Sequence, residues 1–158
     1  MTVSVPDPPA TTGASGTPAR DPARDALVAR WLRMAEQDLH AARLATRDPG
    51  FVARIPCYHA QQAAEKAVKA ALTALGRRIA WAHDLDALAL GLPPAWAVRQ
   101  TNLPRGVLTQ WATETRYPGS LPDPTVGDAG SAVATAQRVL DLIVGDLRAN
   151  GLWPPPAP

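Results

Sequence analysis

The chain is short of several residue types on which large classes of protein depend. Cys57 is the single cysteine among 158 residues, so no disulfide can form within the chain. One phenylalanine and two tyrosines stand beside five tryptophans. A lone cysteine is typical of the reducing cytosol, and we expect a cytoplasmic protein in which Cys57 is a small buried side chain rather than a nucleophile.

Long apolar runs and strong net charge are also missing. The longest uncharged stretch, ALALGLPPAWAV, is short and contains two prolines, so it cannot span a membrane. The N-terminus has no basic segment followed by an apolar run, and no secretory signal is expected. The formal net charge of +2 is too small to predict nucleic-acid binding by itself.

The sequence also lacks the common signatures of cofactor and metal sites. It has no Gly-rich phosphate loop. His40, His59 and His83 lie far apart, without the spacing of zinc ligands. We therefore expect neither a metal nor a cofactor.

Proline and small polar residues are concentrated at the two ends of the chain. Residues 1–22 are rich in Pro, Ala, Thr, Ser and Gly and contain few large apolar side chains, and residues 151–158 are rich in proline. Such segments cannot offset the entropy of becoming ordered, so both are predicted to be flexible tails. Residues 23–150 remain as one domain.

Alanine and leucine dominate this domain, and their spacing is helical. The pattern predicts an all-α, up-and-down bundle of four to five helices with a crossover built from short helices. The predicted segments are about 23–47, about 56–75 with Gly76 as the stop, a broken region that starts at Asp84 and reopens at Pro104 through Trp111, and a last helix with Asp128 near its cap and Asn150-Gly151 at its end.

Asp38 is a charged residue at the edge of the apolar stripe of the first predicted helix, beside Trp31 and Ala42. A carboxylate that faces a bundle interior must be paired or hydrogen-bonded. Asp38 is therefore either a structural acceptor for a group on a neighbouring helix or one wall of a polar pocket.

The second predicted helix carries a row of polar residues. At 100° per residue, Gln62, Lys66, Lys69 and Thr73 fall within about 80° of His59, while alanines line the opposite arc. Periodicity alone favours an ordinary solvated face for this row. The alternative is a row directed at a pocket or at a dimer partner.

A third polar group precedes the last helix, where Arg116 and Tyr117 stand before Pro118-Gly119. In a structural interpretation the tyrosine packs over the end of the bundle and the arginine bonds the last helix carbonyls. In a functional interpretation the guanidinium binds phosphate and the aromatic ring stacks on a base.

Three segments, WLRMAEQDLHAA, CYHAQQAAEKAVKA followed by HDLDAL, and RYPG, occur in an order and spacing that resemble the HEPN domain family, which is found in prokaryotes beside minimal nucleotidyltransferases. The resemblance covers about residues 27–148. It implies a helical bundle, usually a homodimer, that binds nucleotide or RNA, with a possible nucleotidyltransferase partner in a toxin–antitoxin-like pair. The binding residues expected on this basis are Asp38, His59, Gln62, Lys66, Arg116 and Tyr117.

The resemblance also raises the question of catalysis, since many HEPN proteins are metal-independent ribonucleases. They use an arginine and a histidine that are separated by four to six residues near the last helix, where histidine acts as acid or base and arginine stabilises the charged phosphorane. The last predicted helix contains no histidine, whereas Arg54 and His59 have this spacing at the start of the second helix. Whether the protein is an enzyme stays open, with His59 and Arg54 as the candidate catalytic pair.

Three functions follow from these patterns. The first is a module that binds nucleotide or RNA, and the sequence favours it. The second is a ribonuclease toxin. The third is a dimeric scaffold without a ligand, in which the polar row of the second helix is a dimer face.

Overall fold

A computed structural model of the chain describes residues 21–79, 82–113 and 122–154. These residues form helices and no strand, so the all-α prediction is confirmed. Most of the two predicted tails lies outside these ranges. The helices are α1 (Pro22–Arg47), α2 (Arg54–Ala74), α3 (Leu85–Leu90), α4 (Ala97–Gln100), α5 (Arg105–Thr113) and α6 (Val126–Ala149).

Local sequence signals set the bounds of α1. The Asp21 side chain accepts a hydrogen bond from the Ala23 N–H at 3.0 Å, and Pro22 occupies the first helical position. Apolar residues at helical spacing then form one buried stripe, as the sequence predicts. Its members are Val28, Leu32, Ala35, Leu39, Ala42 and Ala45.

Helix α2 begins at Arg54, two residues before the predicted start at Pro56. Proline is tolerated there because the N–H groups of a first turn have no partner within the helix. The helix ends at Ala74 with Leu75 as its C-cap. Gly76 follows with φ = 65°, and the Arg77 N–H donates to the Leu72 carbonyl at 2.9 Å. This is the glycine stop that the sequence predicts.

Helix α2 lies at the centre of the bundle and packs against α1, α3, α5 and α6. Its alanines are buried and let the neighbouring helices approach closely. Because α2 is enclosed in this way, each of its polar side chains needs a partner within the protein or a path to solvent.

The crossover is held by one local cap and by one side chain from a distant part of the chain. Asp84 caps α3, as predicted, by accepting from the Asp86 and Ala87 N–H groups. The four-residue α4 was not predicted. Its Ala97 and Val98 N–H groups donate to the Asp146 carboxylate of α6 at 2.8 and 3.0 Å.

Helix α6 starts with a reciprocal cap between Thr125 and Asp128, which agrees with the predicted cap region. Its last residue is Ala149 and its C-cap is Asn150, and the following Gly151 adopts φ = 65°. Its apolar stripe packs on α2 and closes the bundle. Among the described helices, none combines the length and the apolar character needed to cross a membrane.

Candidate functional site

A group of polar residues, which we call the outer cluster, joins α1 to α2. The Asp38 Oδ1 atom lies 2.9 Å from His59 Nδ1, and the Lys66 ammonium donates to Asp38 Oδ2. Because an ionised carboxylate only accepts hydrogen bonds, the proton between Asp38 and His59 resides on Nδ1. The outer cluster consists of Asp38, His59, Gln62 and Lys66.

The outer cluster reaches solvent mainly through His59. The His59 side chain is 34% exposed, whereas those of Asp38 and Lys66 are 17% and 15% exposed. The Tyr58 ring meets the imidazole edge-on, with ring centroids 5.6 Å apart. Asp38 engages Nδ1, so the Nε2 atom of His59 is the imidazole nitrogen available to a ligand.

A second group, the inner cluster, lies deeper on α2. The Glu65 carboxylate accepts from Lys69 Nζ at 2.7 Å, from Gln61 Nε2 at 2.8 Å and from His83 Nδ1 at 3.1 Å. Gln61, Glu65 and Lys69 are 0%, 3% and 9% exposed. The inner cluster consists of these three residues and His83, and it satisfies the buried carboxylate with three donors.

The chemistry of Glu65 reflects this environment. Burial acts to raise the pKa of the Glu65 carboxyl. Hydrogen bonds from Lys69, Gln61 and His83, together with the Lys69 charge, outweigh burial and hold that pKa below its ordinary value. Glu65 is therefore a buried anion at neutral pH, and the Lys69 ammonium also lies 5.7 Å from the centroid of the Trp31 ring.

Two glutamines connect the clusters. Gln62 Nε2 donates to Gln61 Oε1 at 2.7 Å, and Gln62 Oε1 accepts from Lys66 Nζ at 3.4 Å. A continuous chain of hydrogen bonds therefore runs from His59 through both clusters to His83. Close to it, the buried Trp31 indole N–H has no acceptor among the residues that the structure describes.

The polar row of α2 is not a fully solvated face, and that interpretation of the periodicity is wrong for its second half, since His59, Gln62 and Lys66 are partly exposed and Lys69 and Thr73 are buried. Lys69 and Thr73 are 9% and 7% exposed, and the Thr73 hydroxyl donates to the Lys69 carbonyl at 2.8 Å. The physical reason is Glu65, which supplies a buried counter-charge that a helical wheel does not reveal.

Sequence reasoning missed Gln61, Glu65 and His83 as members of this network. One signal was available, because Gln61, Glu65 and Lys69 recur at intervals of four residues and such positions are neighbours on a helix. His83 has no such spacing signal, although it is the first residue of the HDLDAL segment, and its contact with Glu65 depends on how the loop before α3 returns to α2.

Other predicted site residues are not assembled with the outer cluster. Arg54 is exposed, lies about 140° around α2 from His59, and makes no hydrogen bond or ion pair with it. Arg116 and Tyr117 lie outside the described residues. Within the described ranges, no group of three or more His, Cys, Asp or Glu side chains is arranged to hold a metal ion.

Cys57 is fully buried on α2, as predicted. Burial, with a smaller contribution from the Asp128 charge, raises the pKa of its thiol to about 11. The thiol is therefore protonated at neutral pH, and it lacks the thiolate character that a nucleophile requires.

Comparisons with known proteins agree with this architecture. The HEPN domain family model matches residues 28–147. The solved structure of TT1696 from Thermus thermophilus is 29% identical, with a TM-score of 0.65 over 76% of this chain and 98% of that one. The structure of ST0689, described as an archaeal HEPN homologue, is 32% identical, with a TM-score of 0.59 over 75% of this chain and 95% of that one. No curated protein matches. The family match spans most of the chain and includes part or all of each of the six helices, and the protein belongs to the HEPN domain family.

Proposed function

We propose that this HEPN-domain protein binds a nucleotide or an RNA segment at the outer cluster. The observation that carries the proposal is the pair of basic side chains, His59 and Lys66, held side by side on the two oxygens of Asp38. Gln62 flanks them, and Arg116 and Tyr117 are proposed to add a phosphate contact and a stacking surface.

The hydrogen-bonding capacity of the cluster suits a phosphate group. The Lys66 ammonium has three N–H donors and directs one to Asp38 and a second to Gln62 Oε1, so one remains for a ligand. Phosphate oxygens only accept hydrogen bonds, so Lys66 can donate to them, and the His59 ring can do so in the form that carries a proton on Nε2.

The cluster is also organised before a ligand arrives. Asp38 on α1 fixes two side chains of α2, and a flexible lysine that is already ordered loses less entropy on binding. This arrangement favours a specific phosphate contact over diffuse attraction, which the small net charge of the chain does not provide.

The test is fluorescence anisotropy with a labelled oligoribonucleotide and a labelled adenine nucleotide. Lys66→Gln should weaken binding about tenfold, equivalent to about 1.4 kcal/mol, and should reduce the salt dependence by roughly one ion. The control Arg138→Gln removes the same charge from an exposed position on α6 and should leave affinity unchanged. Equal affinities for wild type and Lys66→Gln would remove the outer cluster from the site.

The proposal includes a partner. The HEPN family assignment supports a role beside a nucleotidyltransferase in a toxin–antitoxin-like pair, with this chain as a homodimer. The product of an adjacent nucleotidyltransferase gene should co-purify with the protein, and light scattering should give twice the mass of the chain. Neighbouring genes without such an enzyme would contradict the partner, and a monomeric mass would contradict the homodimer.

A second candidate function, a metal-independent ribonuclease, is favoured by one contact. The Asp38–His59 hydrogen bond keeps the proton on Nδ1, so the neutral ring directs its Nε2 lone pair outward, as a general base acting on a 2′-OH requires. Cleavage of RNA in the presence of a chelator, together with arrest of growth on expression, should disappear in His59→Ala. Cleavage that survives this substitution would exclude His59 as the base.

A further inference from the structure

His83 is an exposed side chain that two buried residues hold in place. Its ring is bound through Nδ1 to Glu65 at 3.1 Å, and its carbonyl oxygen accepts from Gln61 Nε2 at 3.2 Å. The His83 side chain is 55% exposed, whereas Gln61 and Glu65 are 0% and 3% exposed. Two buried polar groups therefore converge on one residue at the surface.

Anchoring the loop before α3 accounts for only part of this arrangement. The Gln61 contact with the His83 backbone already anchors the loop. The Glu65 contact also sets the orientation of the imidazole ring, because a carboxylate bound to Nδ1 fixes the tautomer and the direction of Nε2. A loop anchor alone has no need of an oriented imidazole.

His83 repeats the geometry of His59. In both cases Nδ1 is bound to a shielded carboxylate, that carboxylate also binds a lysine, and the imidazole side chain is partly exposed, 34% at His59 and 55% at His83. The Lys69 charge offsets that of Glu65, so the inner cluster does not oppose an anion beside His83. Both imidazoles therefore offer Nε2 to a ligand under similar electrostatic conditions.

We propose that His83 is a second ligand-contacting residue and that Gln61 and Glu65 are its positioning residues, so that the site extends along α2 from His59 to His83. This inference rests on the function proposed above and specifies the ligand further. Glu65 follows His59 by six residues, which is about 9 Å along the helix axis and about 120° around it, and His83 reaches Glu65 from the loop before α3. A ligand that contacts both imidazoles must follow this path around the helix, so it is one that carries several phosphate groups, as an oligonucleotide backbone or a nucleoside triphosphate does.

The experiment follows the imidazole Hε1 signals of the full-length protein by NMR during titration with AMP, ATP and a tetra-adenylate RNA. Single His→Ala variants assign the three signals, and His40, exposed on α1, serves as the internal control. AMP should shift His59 alone, whereas ATP, tetra-adenylate or both should shift His59 and His83. His40 should not move. The stronger of the two polyphosphate responses distinguishes a nucleotide ligand from an RNA ligand.

The failures of the two proposals are distinguishable. If His59 shifts while His83 is unmoved by ATP and by tetra-adenylate, the inference about His83 is wrong and the proposed function stands. If neither signal responds to any of the probes, the proposed function fails and the inference fails with it.

A variant separates ligand contact from loop anchoring. His83→Ala keeps the backbone carbonyl that Gln61 binds but removes one of the three donors to Glu65, so it should lower the thermal midpoint slightly. It should weaken the better polyphosphate ligand about fivefold while the affinity for AMP stays within error of wild type. His83→Asn can keep an N–H donor for Glu65 but lacks Nε2, so it should fold as well as wild type and bind the polyphosphate as weakly as His83→Ala. Equal losses for AMP and polyphosphate, or no loss at all, would overturn the role of His83.

Discussion

The two clusters on α2 contain the same chemical groups in different surroundings. In the outer cluster a carboxylate, Asp38, holds a histidine and a lysine, and in the inner cluster Glu65 does the same. The Asp38 side chain is 17% exposed and the Glu65 side chain 5%. The same three chemical groups are therefore held at two depths in the bundle, and the difference in burial should make the inner ion pair contribute more to stability than the outer one.

The clusters also differ in the origin of their parts. The outer carboxylate comes from α1 and holds side chains of α2, so the cluster depends on the packing of two helices. The inner carboxylate and its lysine are four residues apart on α2 itself. The inner cluster is consequently preformed by one helix and receives only His83 from elsewhere.

The largest expected effect comes from neutralising each carboxylate without changing its shape. Glu65→Gln leaves the Lys69 ammonium buried without a counter-charge and should lower the free energy of unfolding by about 3 kcal/mol. Asp38→Asn should cost about 1 kcal/mol, because its partners are closer to water. Urea denaturation at pH 7 measures both.

A rescue variant checks the cause of the larger loss. Glu65→Gln combined with Lys69→Met removes both charges and should recover much of the stability lost by Glu65→Gln alone. Equal losses for Glu65→Gln and Asp38→Asn would mean that the contrast in burial has no energetic consequence.

The next largest effect is on the stability of the protein at acidic pH. The pKa of Glu65 is lower in the folded protein than its ordinary value of 4.5, so its stabilising contribution is complete above pH 4.5 and is lost as the pH falls through the folded pKa. The difference in unfolding free energy between wild type and Glu65→Gln should stay constant from pH 7 to about pH 4.5 and shrink below it. A difference that shrinks between pH 7 and 5 would contradict the direction of the shift.

A smaller effect should appear in the response of each ion pair to salt. Double-mutant cycles should give a coupling of about 0.5–1 kcal/mol for Asp38 with Lys66, and this coupling should fall in 1 M NaCl. The coupling of Glu65 with Lys69 should exceed it and change little, since water and ions do not reach the buried pair. Equal salt sensitivity would show that both pairs are screened alike.

The smallest expected effect is at Cys57, two residues before His59. A buried thiol with a pKa of about 11 should not react with iodoacetamide at pH 8 until the protein unfolds. Cys57→Ala should leave RNA affinity unchanged, because the groups proposed to contact the ligand on this turn belong to the outer cluster and not to the buried thiol. Rapid labelling of the native protein would place the thiol at the surface.

The parts of the fold that sequence reasoning predicted are those governed by local rules. The apolar stripe of α1, the glycine stop of α2 and the Asp84 cap of α3 all depend on residues close together in the chain. The four-residue α4 could not be predicted, because its first N–H groups are bound by Asp146. A contact over so long a separation leaves no local pattern.

In the candidate site, too, local patterns were predictable and long-range contacts were not. The spacing of His59 and Lys66 placed them on one side of α2, and Asp38 was expected to need a partner; the structure joins all three. A helical wheel gives the direction of each side chain around the helix axis but not how deeply it is buried, so it could not show that Lys69 is buried. Nor could it bring in His83, which belongs to a loop.

The Asp146 contact has a consequence for the order in which the bundle assembles. A four-residue helix cannot persist alone, since helix nucleation is unfavourable and short helices are marginal in water. The N–H groups of α4 find their acceptor on the last helix, 48 and 49 residues later in the chain. During synthesis the ribosome must therefore release α6 before the crossover can take its final shape, whereas α1 and α2 can pair earlier as a hairpin. The outer cluster, which needs only α1 and α2, can thus form before the crossover packs against α2.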